Sequence, residues 1–310
     1  MIKSHFQKKS LFKKDHLLPI ERARLGVLGG SGFYSVDKIE NLKEINITTP
    51  YGKPSDSLKI GNIGSIEIVF LARHGENHTL NPTEIPYKAN IWAMKSLGVK
   101  WLLSPSAVGS LQEQIRPLDL VVPDQFIDRT YHRPATFFSD GAVAHVSMAN
   151  PFCSNLSKII IETGKDLLPE GRELHENGTY LAMEGPAFST KAESNLYHSW
   201  GCSIIGMTNH TEARLAREAE IAYSSLCMVT DYDCWNQKQN PVSVSLILEN
   251  LRINTSIAKK IIYETAKAID KIRPESLAHE SLKDGLITNK KFIPDKIKDK
   301  IKIFTEKYWG

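Results

Sequence analysis

No apolar run in these 310 residues approaches the roughly 20 that a spanning helix needs, so a bundle of membrane helices is excluded. With 41% hydrophobic and 24% charged residues, the chain also lacks the composition of wholesale disorder. Cysteine is sparse. Cys153, Cys202, Cys227 and Cys234 form neither a CxxC zinc pair nor a dense disulfide framework, and they read as buried thiols of a reducing cytoplasm. The first residues carry Lys8-Lys9 and Lys13-Lys14 but no apolar stretch of signal-peptide length, so secretion is not expected. Clustered positive charge is missing from the body. Residues 1–24 hold seven Lys/Arg against two acids and residues 283–310 hold eight against four, which turns the formal +4 of the whole into −5 for residues 25–282. That argues against a basic groove for nucleic acid.

What is present is an alternation of short β-branched runs with longer stretches of helical period, the pattern of an α/β fold. It predicts strands over residues 25–28, 66–71, 101–103, 120–122, 179–183, 203–205 and 221–229. Helices are predicted over 87–97, 154–166, 190–199, 211–218 and 242–272. Strands at 45–48, 58–60 and 66–71 arrive without intervening helices, as a meander would. The expected architecture is therefore a single domain, a mixed central sheet flanked by helices, over residues 25–278. No repeat and no Gly/Ser linker divides it. Residues 1–24 form a basic tail expected to be disordered. The Lys-rich extension 279–310 carries Ile297, Ile301, Phe304 and Tyr308 at helical spacing, so a terminal amphipathic helix is expected, docked on the body or on a neighbouring subunit.

Several strand ends carry chemistry. The run Leu25-Gly26-Val27-Leu28 leads into Gly29-Gly30-Ser31-Gly32, where backbone N–H groups and the Ser31 hydroxyl can approach an anion. The dinucleotide fingerprint fails, because position 35 is Ser, and no Gly-Lys-Ser/Thr follows for a nucleotide-triphosphate loop. Alone, the segment serves equally as a tight strand exit. Arg73-His74-Gly75, with His78 four residues after His74, pairs a guanidinium with an imidazole and makes a phosphate clamp. It also matches the Arg-His-Gly signature of histidine phosphatases, although there the motif sits on the first strand, and no second histidine follows a late strand here. Ser104-Pro105-Ser106-Ala107-Val108-Gly109-Ser110 reads as another strand exit rich in hydroxyls, and Met207-Thr208 ends a further one. The first three of these exits converge on the place where open α/β sheets bind ligands.

Glu184-Gly185-Pro186-Ala187-Phe188-Ser189 forces a turn that can present Phe188 as a flat face for a planar base, or place it in the core. Thr230-Asp231-Tyr232-Asp233-Cys234-Trp235 ends the most hydrophobic strand. In extended chain, residues two apart lie about 6–7 Å apart on one side, so Asp231 and Asp233 can face one ligand. Burying two unpaired carboxylates is costly, which argues for a function. A metal fits poorly, since no His or Cys constellation accompanies them.

GGSG, ARHGENH, PSAVGS, EGPAFST, GMT and TDYDCW, in this order, resemble the 5′-methylthioadenosine phosphorylases within the trimeric purine nucleoside phosphorylase family, over residues 24–272. The resemblance implies a phosphate site of Ser31, Arg73, His74, Ser106, Ala107 and Thr208. It implies purine and ribose contacts from Gly109, Phe188, Ser189, Met207, Asp231 and Asp233. It places His78 and His145 at the sugar end, one or both reaching across a subunit interface, and Val244 against the 5′ substituent. Ser189 and Asp231 stand where relatives selecting 6-oxopurines carry Glu and Asn, so a 6-aminopurine, adenine, is the implied base. Where many relatives carry Pro-Glu after Met-Thr, this chain has Asn209-His210-Thr211-Glu212, which leaves the role of His210 open.

The implied reaction is reversible phosphorolysis of S-methyl-5′-thioadenosine to adenine and 5-methylthioribose 1-phosphate, with Asp231 as proton donor to the leaving base and His74 and Arg73 on the anion. Inorganic phosphate is the co-substrate, and no metal or organic cofactor is implied. A homotrimer or a dimer of trimers is the implied assembly, without nucleic acid or membrane partners. A phosphorylase of broader 6-aminopurine specificity, a histidine phosphatase and a non-catalytic nucleoside-binding protein are the alternatives.

Overall fold

The computed structural model describes residues 24–30, 39–134, 136–236 and 244–309, with the Val244 side chain left out. Ser31 and nearly all of the basic tail fall outside these. The elements in chain order are β1 (Arg24–Gly29), β2 (Glu40–Ile45), β3 (Leu58–Ile63), β4 (Ile66–Ala72), α1 (Tyr87–Ser96), β5 (Val99–Ser110), β6 (Leu120–Val122), β7 (Gln125–Arg129), α2 (Ser154–Lys165), β8 (Leu174–Glu176), β9 (Thr179–Met183), α3 (Lys191–Ser199), β10 (Ile204–Gly206), α4 (Asn209–Glu218), β11 (Ala222–Asp231), α5 (Val244–Ile272) and α6 (Asp295–Trp309).

The strands form one mixed sheet, as expected, in the order β2-β3-β4-β1-β5-β10-β9-β7, with β11 on β5 and β6, and β8 on β6. β1, β4, β5 and β11 run parallel. The β2–β3–β4 portion is the antiparallel meander, but its first strand is Glu40–Ile45 rather than 45–48. Alternate residues of the central strands feed opposite faces. Leu28, Val69, Leu71 and Leu102 pack with α1, α4 and α6 on one face. Val27, Ile68, Phe70 and Leu103 pack with α2 and α5 on the other. Burial on both faces is why these strands read as nearly continuous apolar runs, with the one acid of β4, Glu67, paired to Arg24 at 2.7 Å.

The C-terminal helix α6 lies on the body. Ile297, Ile301 and Phe304 are buried, and the Phe304 ring sits 4.4 Å from that of Phe137. Lys307 pairs with Glu220 at 2.6 Å, and the Tyr308 hydroxyl donates to the same carboxylate. Among the described residues no helix is long and apolar enough to cross a membrane.

β5 departs most from expectation. The stretch 104–110, read as a strand exit, continues the strand through Ser110. One edge of β5 pairs with β11 from Trp101 to Gly109. The other pairs with parallel β1 as far as Leu103 and with antiparallel β10 only at Gly109 and Ser110. Between those ladders, residues 104–108 have no strand partner on that edge among the described residues, and the sheet parts there.

Candidate active site

A cavity of about 890 Å³ opens where the sheet parts. Its walls come from the carboxyl ends of strands: Gly30 after β1, Arg73 and His74 after β4, Pro105 to Gly109 of β5, Met207 and Thr208 after β10, and Thr230, Asp231 and Asp233 at the end of β11. This is the crevice expected at a topological switch.

On one side lies the anion-friendly group. Arg73 is 4% exposed, yet most of its guanidinium is committed inward. Nε donates to Glu212 Oε1 at 2.7 Å, Nη1 to the Pro105 carbonyl at 2.9 Å, and Nη2 to Ser104 Oγ at 2.6 Å and to the Leu28 carbonyl. Of the five N–H donors, one on Nη1 is left for the cavity. Glu212 is fully buried, and it also accepts from Ser104 Oγ at 2.7 Å and Tyr223 Oη at 2.9 Å. Burial works to lower the Arg73 pKa, but the Glu212 carboxylate outweighs it and the net shift is upward.

His74 Nδ1 lies 2.8 Å from the Leu80 carbonyl, which can only accept, so Nδ1 carries the proton and Nε2 is the acceptor in the neutral ring. Burial, then the Arg73 charge, push the imidazole down to about 4, so it is neutral at neutral pH. The His78 ring stacks on it at 4.2 Å. Ser106, Ala107 and Thr208 line the same cavity. Beneath them the Thr208 N–H donates to the buried Tyr180 hydroxyl at 3.4 Å.

On the other side the two aspartates meet, though not as an extended pair. β11 ends at Asp231, whose Oδ1 accepts the Asp233 N–H at 2.8 Å, and Asp233 has φ 50°. The carboxylate thus closes a turn over two residues. Thr230 Oγ1 donates to Asp231 Oδ2 at 2.7 Å and Ser194 Oγ to Asp233 Oδ2 at 2.5 Å. Burial raises both carboxyl pKa values, and for Asp231 the neighbouring Asp233 charge adds to it. Gly109 permits this approach: a Cβ there would lie 3.1 Å from Asp231 Oδ1 and 3.4 Å from Asp233 Cβ.

Phe188 and Met207 line the cavity, Phe188 half exposed at 54%. Ser189 is not on its wall: its carbonyl accepts from Cys234 Sγ at 3.3 Å, and its hydroxyl lies 3.7 Å from Met183 Sδ. Ile247, Leu248, Leu251 and Thr255, on the first three turns of α5, form an apolar rim that the sequence reading represented only by Val244. His145 is not brought to this cavity; its N–H donates to the Gly285 carbonyl at 2.8 Å. Helix α4 begins at Asn209, two residues earlier than expected, and His210 turns away to Asp128 at 3.2 Å. Burial lowers the His210 pKa to about 4. Glu212, Tyr180 and Tyr223 were missed altogether. Glu212 answers the need of a buried guanidinium for a counter-charge, a need that sequence alone does not show because it does not show Arg73 to be buried. Among the described residues no cluster of three or more His, Cys, Asp or Glu is placed to hold a metal.

A profile of the phosphorylase superfamily matches residues 24–267. The S-methyl-5′-thioadenosine phosphorylase of Prochlorococcus marinus is 64% identical over 310 residues, covering 100% of this chain and 99% of that protein. The protein of the same name from Thermosynechococcus vestitus is 52% identical, over 92% of this chain and 99% of its own. Among solved structures, a methylthioadenosine phosphorylase from an antarctic soil metagenomic library superposes with a TM-score of 0.88 at 44% identity, covering 91% of this chain and 99% of that one. Methylthioadenosine phosphorylase from Schistosoma mansoni in complex with adenine does so with a TM-score of 0.75 at 35% identity, over 80% and 92%.

Proposed function

The chain belongs to the phosphorylase superfamily and, within it, to the S-methyl-5′-thioadenosine phosphorylases, and from that membership we propose how its cavity works. The reaction is reversible phosphorolysis of S-methyl-5′-thioadenosine to adenine and 5-methylthioribose 1-phosphate, a step of purine and methionine salvage. The observation that carries the residue assignment is the meeting, in one cavity, of an Arg–His pair with two carboxyls of raised pKa.

Phosphate occupies the side of Gly30, Arg73, His74, Ser106, Ala107 and Thr208, with Ser31, which follows Gly30 in sequence, assigned to the same anion, and the purine occupies the side of Phe188, Met207 and the aspartates. An oxygen of phosphate attacks the anomeric carbon as the C–N bond lengthens. Positive charge on the sugar is met by the anion and negative charge on adenine by Asp231, whose proton passes to N7. Asp233 accepts from the 6-amino group. His78 borders the ribose, and His145 serves the sugar end of a neighbouring protomer in a trimer, single or paired. Solution mass measurement tests the assembly: a monomer at working concentration counts against it. Unpaired cysteines and a freely soluble anionic co-substrate fit a cytoplasmic enzyme.

Adenine release from methylthioadenosine is expected with phosphate and not in plain buffer; release without phosphate indicates a hydrolase. The apolar rim of α5 favours a methylthio over a hydroxyl group at the 5′ position. Leu248 lines the cavity yet is 59% exposed, so Leu248→Ser should leave the fold intact. It is expected to reduce the kcat/KM ratio of methylthioadenosine to adenosine by roughly tenfold, the scale of one apolar contact. An unchanged ratio would place the 5′ group elsewhere.

A further inference from the structure

Nothing in the sequence sets Arg133 apart, and it lines no part of the cavity, yet three of the cavity's walls meet on it. It follows β7, and its side chain is 1% exposed. Nε donates to Glu184 Oε1 at 2.8 Å and Nη2 to the Glu184 carbonyl. Nη1 donates to the Met207 carbonyl at 2.9 Å and to Tyr87 Oη at 2.6 Å, and the Tyr87 ring lies 5.4 Å from the guanidinium. Tyr87 Oη in turn donates to the Pro82 carbonyl at 2.8 Å.

Glu184 extends the node. Oε2 accepts the Tyr131 N–H at 2.6 Å and the His132 N–H at 3.3 Å, and Oε1 accepts from Thr83 Oγ1. Burial works to raise this carboxyl, but the bonds from Thr83, Tyr131 and Arg133 bring it down to about 2. The segments tied together are the β4–α1 loop with Asn81 and Pro82, the β9 exit with Pro186 and Phe188, and the β10 exit with Met207 and Thr208. The carbonyl of Met207 shares its peptide plane with the Thr208 N–H. Arg133 therefore fixes the edge proposed for phosphate and the wall proposed for the purine through one rigid, planar group.

We propose that Arg133 is a positioning residue, with Glu184 as its partner, that holds the phosphate edge and the purine wall at the separation in-line attack requires. This rests on the phosphorolytic reading of the cavity. A displacement of about 1 Å between the reacting groups is enough to cost on the order of 10²-fold in rate. Lys at this position keeps the charge but has no planar fork to reach all four acceptors.

The test compares wild type, Arg133→Lys and Glu184→Gln by steady-state phosphorolysis, calorimetric binding of adenine alone and of phosphate alone, and thermal melting. Each wall stays intact by itself, so adenine and phosphate separately are expected to bind within about threefold of wild type, while kcat falls about 10²-fold in Arg133→Lys and roughly tenfold in Glu184→Gln. A purely structural ion pair would lower the melting temperature and leave kcat of the folded enzyme unchanged, and that result in both variants would overturn the proposal. Loss of one binary affinity matching the loss of kcat would also overturn it, since Arg133 would then shape one wall only. Wild type failing to release adenine with phosphate would instead strike the phosphorolytic reading itself.

Discussion

Asp231→Asn should lower kcat for adenine formation by about 10²–10⁴-fold while leaving the phosphate KM within a few-fold of wild type. Asparagine keeps the shape of the turn, because its carbonyl oxygen can still accept the Asp233 N–H that Asp231 Oδ1 accepts at 2.8 Å. It also still offers an N–H toward N7, so ground-state binding of the purine persists. What it loses is a proton that can be transferred. Asp231 is suited to hold that proton, since burial, reinforced by the Asp233 charge, raises its pKa against the opposing bonds from Thr230 and the Asp233 N–H. With the carboxyl as the proposed acid, the sign follows directly: wild-type kcat should fall as pH rises through this raised pKa. The descending limb should vanish in Asp231→Asn. Parallel loss of kcat and of phosphate affinity in the variant would remove Asp231 from the base side.

The strands buried on both faces were legible because little in them interrupts the apolar run beyond Glu67 of β4 and Ser224-Ser225 of β11, and both strands fall within about two residues of their predicted ends. β7, Gln-Phe-Ile-Asp-Arg, escaped notice because it is an edge strand with an exposed charged end, and β8 because its three residues are Leu-His-Glu. The continuation of β5 was hidden by Pro105 and Gly109, which look like a strand exit. Pro105 is tolerated because the N and O of a strand residue face the same side, and its carbonyl takes Arg73 Nη1 on the edge without a ladder. The cavity residues were legible as motifs because chemistry at strand ends uses a narrow set of residue types. The groups behind them were not, since Glu212 and Arg133 look in sequence like the charged residues of any solvated surface. His145 reads as a site residue, yet one protomer does not bring it to its own cavity.

The Arg73–Glu212 pair separates folding from anion binding, and the expected outcome has two parts. Arg73→Ala leaves a carboxylate that is 0% exposed without its cation, and Glu212→Ala leaves the guanidinium without its anion. Each single change is expected to destabilise by about 3–5 kcal/mol, because the penalty of an uncompensated buried charge is incurred in full. The double variant Arg73→Met with Glu212→Gln removes both charges, and Gln can still accept from Ser104 and Tyr223. Its stability in urea should recover by about 2 kcal/mol or more relative to either single variant. Phosphate affinity should not recover with it. If Arg73 supplies its remaining Nη1 hydrogen and its charge to the anion, the double variant stays folded with a phosphate KM raised on the order of tenfold or more, while the KM for methylthioadenosine changes little. A folded double variant with a wild-type phosphate KM would mean that Arg73 serves Glu212 and the strand ends alone, and that the anion is held by His74, Thr208 and the backbone without it.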